Sequence, residues 1–186
     1  SSPFLARGMA GQLPADMPED CKVLEVGPGT GPVTIEILKR MNGRGHLDLW
    51  ELSPAFCAVL RKRLAEEPLF RRMDGRVVVH EGDVRQLPPQ PHYNAIVSGL
   101  PFSNFKPEEV QGFLEHFRAL LKPKGMLIWF EYLALRKLKS VFVGKARREQ
   151  LKGVTDVTER FISGHRYGQK IIPINFPPAR VRHLAF

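Results

Sequence analysis

The chain has few cysteines and no clustered metal ligands. Its 186 residues include two cysteines, Cys21 and Cys57, which stand alone and form no C-x-x-C pair. A disulfide framework is therefore not indicated, and a reducing compartment is expected. The six histidines are scattered without the spacing of metal ligands. We predict that the protein holds no metal ion.

Long apolar runs and acidic residues are also scarce. No run of about 18 apolar residues is present, so the sequence predicts no transmembrane helix, and there is no secretory signal. The chain begins at Ser1 without a methionine, and we expect that a segment precedes it. Against 28 Lys and Arg stand 19 Asp and Glu, a net charge of +9 and a pI near 9.9. This excess favours an anionic partner, either nucleic acid or an acidic membrane surface.

Short apolar strands alternate with amphipathic helices along most of the chain. Helices are predicted after Pro3 and over residues 32–40, 54–66 and 107–121. Strands are predicted over residues 23–26, 46–52, 76–80, 93–98, 125–132, 157–164 and 170–176. The alternation predicts a single α/β domain over residues 1–186. We expect a mostly parallel seven-stranded sheet with helices on both faces and an antiparallel finish.

The first strand leads into a glycine-rich turn that opens a helix. The sequence Glu25-Val-Gly-Pro-Gly-Thr-Gly31 has three glycines in five residues, and Pro32 follows in the first helical turn. A strand, a glycine turn and a helix N-terminus form a nucleotide-type pocket. The spacing is one residue shorter than the dinucleotide fingerprint, and the carboxylate of Glu25 precedes it. A ligand that carries an amino group therefore suits the turn better than a pyrophosphate. A tight turn without a ligand is the alternative.

Polar residues mark the ends of three more predicted strands. Glu51 ends the second strand, Asp83 follows the third, and Ser98 ends the fourth. Because the carboxyl ends of parallel strands meet at one edge of a sheet, we expect these residues to share a site. Glu51 is placed to accept both hydroxyl hydrogens of a ribose, and Asp83 to accept from an adenine amino group. A solvated acid and an Asx turn are the respective alternatives.

These features together resemble the class I methyltransferases that depend on S-adenosylmethionine. The resemblance covers nearly the whole chain, and its motifs run from motif I at Val23 to the strand-four motif that ends at Phe102. The resemblance implies a Rossmann-like fold, with S-adenosylmethionine as methyl donor and S-adenosylhomocysteine as product. It implies cofactor binding by Glu25, Gly27, Gly29, Gly31, Glu51, Asp83 and Ser98.

The strand-four motif distinguishes two branches of that family. Amino-methylating members usually carry D/N/S-P-P-Y/F or N-L-P-Y/F, whereas this chain reads Ser98-Gly-Leu-Pro-Phe102. Gly99 replaces the asparagine that grips an adenine amino group. With the opening segment from Ser1 to Ala6 and the closing segment from Asn175 to Arg180, the motif resembles the bacterial phospholipid N-methyltransferases, which are similar to the ribosomal RNA adenine dimethylases. The resemblance implies successive methylation of phosphatidylethanolamine toward phosphatidylcholine, with Ser2 over the cofactor.

The candidate catalytic residues are Leu100, Pro101, Phe102 and Tyr132. Methyl transfer to a neutral amine depends mainly on alignment of donor and acceptor. Phe102 could pack against the amine and its methylated cation, and Tyr132, at the end of the fifth predicted strand, could orient the head group. Both are equally plausible as core aromatics.

A basic stretch from Arg136 to Lys152 favours a lipid partner. It holds seven cations against one acid, Glu149, with Leu135, Leu138, Val141 and Phe142 at helical spacing. A basic amphipathic helix can lie in an anionic bilayer interface. We therefore expect a cytoplasmic protein, peripherally bound to the inner face of the cytoplasmic membrane, without an obligate protein partner. Contact with RNA phosphates and a core-facing helix with a solvated basic side are the alternatives.

Two other functions stay open. A ribosomal RNA adenine N6-methyltransferase would share the fold and the cofactor. A non-catalytic membrane- or RNA-binding domain would keep the fold without turnover.

Overall fold

A mixed β-sheet organises the molecule. The computed structural model describes residues 2–15, 17–73, 75–133 and 144–186. Within them the sheet has seven strands: β1 (Lys22–Val26), β2 (His46–Glu51), β3 (Val77–Glu81), β4 (Tyr93–Ser98), β5 (Leu121–Tyr132), β6 (Arg166–Ile172) and β7 (Ala179–Ala185). Their order is β3-β2-β1-β4-β5-β7-β6. The first five strands pair in parallel, and β7 is antiparallel to β5 and β6.

Helices cover both faces of the sheet. They are α1 (Pro3–Ala10), α2 (Pro32–Met41), α3 (Pro54–Glu66), α4 (Pro68–Arg71), α5 (Pro107–Leu120) and α6 (Lys145–Ile162). Each of the first five begins with proline, which fits the first turn because its missing N–H has no partner there. One apolar cluster joins α1 and α2 to the sheet, and a second joins α5 and α6 to its other face. The predicted fold class is confirmed.

One predicted strand, residues 157–164, is wrong. Residues 157–162 belong to α6, and the last two residues follow the end of that helix. Their β-branched side chains favour a strand when read locally, but Val154, Val157, Thr158 and Ile162 recur every three or four residues and are all buried. The helix therefore presents one apolar face to α5 and the sheet.

The carboxyl-terminal strands also differ from the prediction. The strand expected over residues 170–176 lies at Arg166–Ile172, and the one after the Pro177-Pro178 pair was not predicted. In that strand Arg180, Arg182 and His183 hide the alternation of apolar residues. β5 begins at Leu121, four residues before its predicted start, with an irregular register opposite Tyr93.

The predicted basic helix is described only in part. The cations and apolar residues of that stretch before Gly144 lie outside the described residues, and α6 begins with Lys145. None of the described helices is long and apolar enough to cross a bilayer.

Candidate active site

A cleft opens beyond the carboxyl ends of β1, β2 and β4. Its volume is about 480 Å³ including the open mouth. The lining residues are Val26, Gly27, Trp50, Glu51, Leu52, Gly82, Asp83, Val84, Arg85, Leu100, Phe105 and Phe113. Four predicted site residues, Gly27, Glu51, Asp83 and Leu100, therefore meet in one space.

Gly27, the first glycine of the turn, lines this cleft, and Gly29 and Gly31 lie outside its lining. Gly27, Gly29 and Gly31 have φ angles of +67°, +59° and +85°, which glycine adopts without strain. A Cβ on Gly27 would lie 3.1 Å from Leu100, whereas one on Gly29 would meet no atom within 4 Å. The turn thus leaves room for a ligand beside Gly29.

Glu51 is bonded to the backbone on both sides of the cleft. Its Oε2 accepts from the Gly29 N–H at 2.9 Å, and its Oε1 accepts from the Ser53 N–H at 2.9 Å. An ionised carboxylate has about four acceptor positions, so each oxygen keeps one for a hydroxyl donor. The geometry is compatible with the predicted contact to a ribose.

Glu25 lies behind the turn, on the face of the sheet that α2 covers. It is 1% exposed, and no donor reaches its Oε2 among the described residues. Burial raises the pKa of Glu25 from 4.5 to about 8; the nearby Thr34 hydroxyl opposes this rise and the Glu51 carboxylate adds to it. The side chain is therefore largely neutral at pH 7. Its unpaired oxygen is where the predicted amino group would find an acceptor.

Asp83 is already bound by its own loop. It accepts from the Arg85 N–H at 2.9 Å and from the Arg85 Nε at 3.0 Å, and these contacts lower the pKa of Asp83. The alternative of an Asx-type turn is thus present. Because lone pairs stay available on a carboxylate, the predicted contact with adenine stays a prediction.

Ser98 and Ser2 lie outside the lining of the cleft. Ser98 is buried, and its Oγ accepts from the Leu100 N–H at 3.4 Å. Ser2 begins α1, where its Oγ accepts from the Leu5 N–H at 3.2 Å and also bonds Asn175. The structure gives both serines a role in backbone geometry, and their cofactor roles stay predictions.

A second pocket adjoins the strand-four motif. Leu100 lines the cleft, while the next two residues, Pro101 and Phe102, line this pocket of about 520 Å³ including its mouth. The other lining residues are Ser103, Phe130, Glu131, Tyr132, Leu151, Val154, Thr155 and Thr158. The motif therefore forms a wall between two spaces, and three of the four catalytic candidates meet in the second. Phe102 is also buried, and Tyr132 packs edge-on against Phe130 at 5.0 Å.

Glu131 is a candidate that sequence reasoning missed. Glu131 lines the second pocket, and its carboxylate pairs with the buried Arg182, with Oε1 3.1 Å from Nε. The same guanidinium pairs with Glu159 at 2.7 Å. The sequence signal that could have identified Glu131 is its position beside Tyr132 at the end of a predicted strand. The ion pair depends on the pairing of β5 with the unpredicted β7.

Comparisons with known proteins agree with this geometry. Residues 23–125 match the model of a family described as "Methyltransferase domain". The chain is 34% identical over 95 residues to ribosomal RNA small subunit methyltransferase A of Synechococcus sp. strain JA-3-3Ab, covering 50% of this chain and 30% of that protein. It is 32% identical over 131 residues to ornithine lipid N-methyltransferase of Singulisphaera acidiphila, covering 67% and 64%.

A solved structure shares the fold over the full chain. The O-methyltransferase from Bacillus cereus in complex with SAH superposes with a TM-score of 0.72 at 14% identity, covering 100% of this chain and 82% of that one. The chain belongs to the methyltransferase-domain family, and the predicted methyltransferase domain is confirmed. It spans less than two thirds of the length of the two curated relatives.

The described residues fit S-adenosylmethionine. The space beside Gly29 and the acceptor positions left on Glu51 are compatible with this cofactor. Glu25 is buried and does not line the cleft, so its contact with the amino group stays a prediction. The described part of the chain contains no group of three His, Cys, Asp or Glu residues that could hold a metal.

Proposed function

We propose that this chain transfers methyl groups from S-adenosylmethionine to the primary amine of a membrane lipid. The proposed substrate is phosphatidylethanolamine, methylated successively toward phosphatidylcholine. The observation that carries the proposal is the Glu131 carboxylate in a mostly apolar pocket beside the strand-four motif. A carboxylate among aromatic and apolar groups suits an alkylammonium, since it supplies an opposite charge. The amino group of adenine is planar and uncharged, so it would be attracted less strongly to a carboxylate in this pocket.

The relatives and the surface charge support a lipid substrate. The match to the ornithine lipid N-methyltransferase is longer than the match to the ribosomal RNA enzyme, and its name specifies nitrogen methylation of a lipid. Lys145, Arg148 and Lys152 are exposed on the first turns of α6. Gln150 of that segment donates to the Phe105 carbonyl at the rim of the cleft, at 2.7 Å. These cations therefore stand near the open edge of the site, where anionic lipid would attract them.

The chain's contribution to the reaction is alignment and proton handling. Bound S-adenosylmethionine supplies a methyl group on a positively charged sulfur. Glu51 and the glycine turn would hold the donor side, and Pro101 and Phe102 would hold the acceptor side, so that both reactants stay in contact. Glu131 would attract the ammonium and take the proton that the amine must lose before its lone pair can attack.

The ribosomal RNA relative favours a second candidate, methylation of adenine N6. Under that function Glu131 would meet no cation of the substrate, and its carboxylate, paired with Arg182, would have no role in binding the acceptor. The two candidates therefore differ in what neutralising Glu131 does.

Transfer of labelled methyl groups to phosphatidylethanolamine vesicles and to structured ribosomal RNA, measured in parallel, tests the proposal. We expect the wild type to label the lipid. We expect Glu131→Gln to lower kcat/KM by about tenfold or more. Glu159→Gln is the matched control, because Glu159 also pairs with Arg182 but does not line the pocket. Label in RNA alone, unaffected by Glu131→Gln, would contradict the proposal and support the second candidate.

A further inference from the structure

The loop that joins β6 to β7 exposes two large apolar side chains. Phe176 is 98% exposed and Ile174 is 71% exposed. Ile171, at the end of β6, and Phe4, on α1, are exposed as well. Single exposed apolar residues are ordinary, but several on neighbouring elements mark an interaction surface.

The loop is held in place from within. Asn175, between the two exposed residues, is buried and is hydrogen-bonded to Ser2 Oγ and to the Pro177 carbonyl. Its own N–H donates to the Ile172 carbonyl at 3.3 Å. Anchoring of the middle residue turns its two neighbours outward, so their exposure is a property of the folded loop.

The loop also lies on the edge of the sheet that carries the active site. β6 is antiparallel to β7, which is antiparallel to β5, so β6 ends at the same edge as β5. The Leu133 N–H donates to the Pro178 carbonyl at 2.7 Å, and Tyr132 is paired with Ala179. Because Tyr132 lines the acceptor pocket, the exposed tip stands only a few residues from that pocket.

The charge around the tip is positive. From His165 to Phe186 the sequence has no Asp or Glu. Near the tip, Lys170 of β6 is exposed and Arg180 of β7 is half-buried. Arg7 is exposed on α1, with its guanidinium 5.4 Å from the centre of the Phe4 ring. The nearest acid across the strands is Glu131, which is paired with Arg182. Apolar side chains flanked by cations are the composition that binds an anionic bilayer interface.

We propose that the β6–β7 loop inserts Phe176 and Ile174 into an anionic phospholipid bilayer and so places the acceptor pocket at the membrane surface. The function of this loop rests on the proposed lipid substrate. The observations that support insertion are the exposure and the charge of the loop. The aliphatic side chains of Ile171 and Ile174 favour lipid over nucleic acid, because single strands are bound by stacking on aromatic rings. A six-residue loop is also small for a stable interface with a second protein.

Binding to vesicles of phosphatidylglycerol and phosphatidylethanolamine tests the loop directly. We expect Phe176→Ala to weaken vesicle binding about tenfold, since burying one large apolar side chain is worth at least that factor. The matched control is Val78→Ala, because Val78 is 44% exposed on β3, the opposite edge strand of the sheet. Equal binding by wild type and Phe176→Ala would overturn the proposal. Both variants should keep the wild-type unfolding temperature, because both positions are exposed.

Insertion itself can be read from fluorescence. In Phe176→Trp the added emission should shift to the blue on vesicle addition and be quenched by brominated acyl chains, and in Val78→Trp it should not. A shift produced by structured RNA but not by vesicles would overturn the proposal in favour of a nucleic-acid surface. Concentration-dependent dimerisation that Phe176→Ala abolishes, without vesicle binding, would overturn it in favour of a second copy of the chain.

The two proposals can fail separately. Phe176-dependent vesicle binding without any lipid methylation would support the membrane loop and contradict the proposed substrate. If the protein methylates lipid dispersed in detergent and Phe176→Ala leaves vesicle binding unchanged, the proposed substrate is supported and the proposed membrane loop is overturned.

Discussion

The main chain of Gly99 packs directly on the main chain of Gly27. A Cβ on Gly99 would lie 2.6 Å from the Gly27 carbonyl oxygen and 3.2 Å from that of Val26. The Gly99 N–H also donates to the Val26 carbonyl at 2.7 Å. The start of the strand-four motif is therefore in contact with the first glycine of the cofactor turn, and no side chain fits between them.

Replacement of Gly99 by asparagine should damage the cofactor site. The asparagine of base-methylating motifs would force the glycine turn away from Leu100, so we expect Gly99→Asn to weaken S-adenosylmethionine binding at least about tenfold. The clash should also lower the free energy of unfolding by about 1–3 kcal/mol. Titration calorimetry and thermal unfolding measure the two effects. Gly112→Ala, in an open position of α5, is the control. Unchanged cofactor affinity in Gly99→Asn would show that the turn tolerates the side chain.

Both carboxylate oxygens of Glu51 should be required for cofactor binding. Glu51→Gln places an amide N–H₂ against either the Gly29 or the Ser53 N–H, so one of the two bonds is lost and a donor is left unpaired. We expect the dissociation constant for S-adenosylmethionine to rise about tenfold or more. Glu81→Gln is a matched control, since Glu81 lies opposite Glu51 in the register of the neighbouring strand and does not line the cleft. Equal losses in both variants would contradict a specific role for Glu51.

Glu25 should make the stability of the cofactor-free protein depend on pH. Because its folded pKa is about 8 and its ordinary value is 4.5, the unfolded chain holds fewer protons between these values. The contribution of Glu25 to the free energy of unfolding should therefore fall as pH rises through this window, by at most about 1.4 kcal/mol per pH unit. Urea unfolding at several pH values should give a flatter dependence for Glu25→Gln. Parallel curves would mean that Glu25 is ionised in the folded state.

Glu25 should also couple cofactor binding to proton release. Pairing with the cofactor's ammonium would ionise Glu25, so affinity should increase as pH rises toward 8, and up to one proton should leave on binding. Calorimetry in two buffers of different ionisation enthalpy counts that proton. Glu25→Gln should release none through this site. If the wild type and this variant release the same number, the predicted cofactor role of Glu25 is wrong.

The ion pairs of Arg182 should be important for stability. Arg182 is 1% exposed and joins Glu131 of β5 to Glu159 of α6. Arg182→Leu would leave Glu131 without its guanidinium, and we expect a loss of about 3–5 kcal/mol in the free energy of unfolding. Glu159→Gln should cost less than about 1 kcal/mol, because that carboxylate is exposed. Arg166→Leu, at an exposed position of β6, is the control for charge removal. A loss below about 1 kcal/mol in Arg182→Leu would contradict the importance of the pair.

The sequence predicted well wherever one element carried its own signal. β4 and α3 begin and end at their predicted residues, because proline, serine and apolar spacing mark them locally. It failed for residues 157–164, where β-branched residues masked a helical period, and for β7, where charged residues masked an apolar strand. Arg182 is the clearest case, since its burial depends on carboxylates that come from two other elements.

The residues of the site also divide into those that the sequence predicted and those that it did not. The glycine turn and Glu51 were found because motif spacing and strand ends are visible along the chain. Glu131 and the loop around Phe176 were missed because their meaning comes from neighbours distant in sequence. Ser2 and Asn175, 173 positions apart, illustrate this: neither predicts the other, and their bond anchors the loop.

The cofactor cleft and the acceptor pocket are drawn from successive stretches of the chain. The lining of the cleft lies between Val26 and Phe113, within the segment that matches the methyltransferase family. The lining of the pocket extends from Pro101 to Thr158, and the β6–β7 loop follows it. Seven of the ten residues that line the pocket follow residue 125, so substitutions there would alter the proposed acceptor site and leave the lining of the cleft unchanged. The segment that encodes most of the pocket can therefore diverge toward new acceptors. The segment that encodes the cleft stays constrained by the methyl donor.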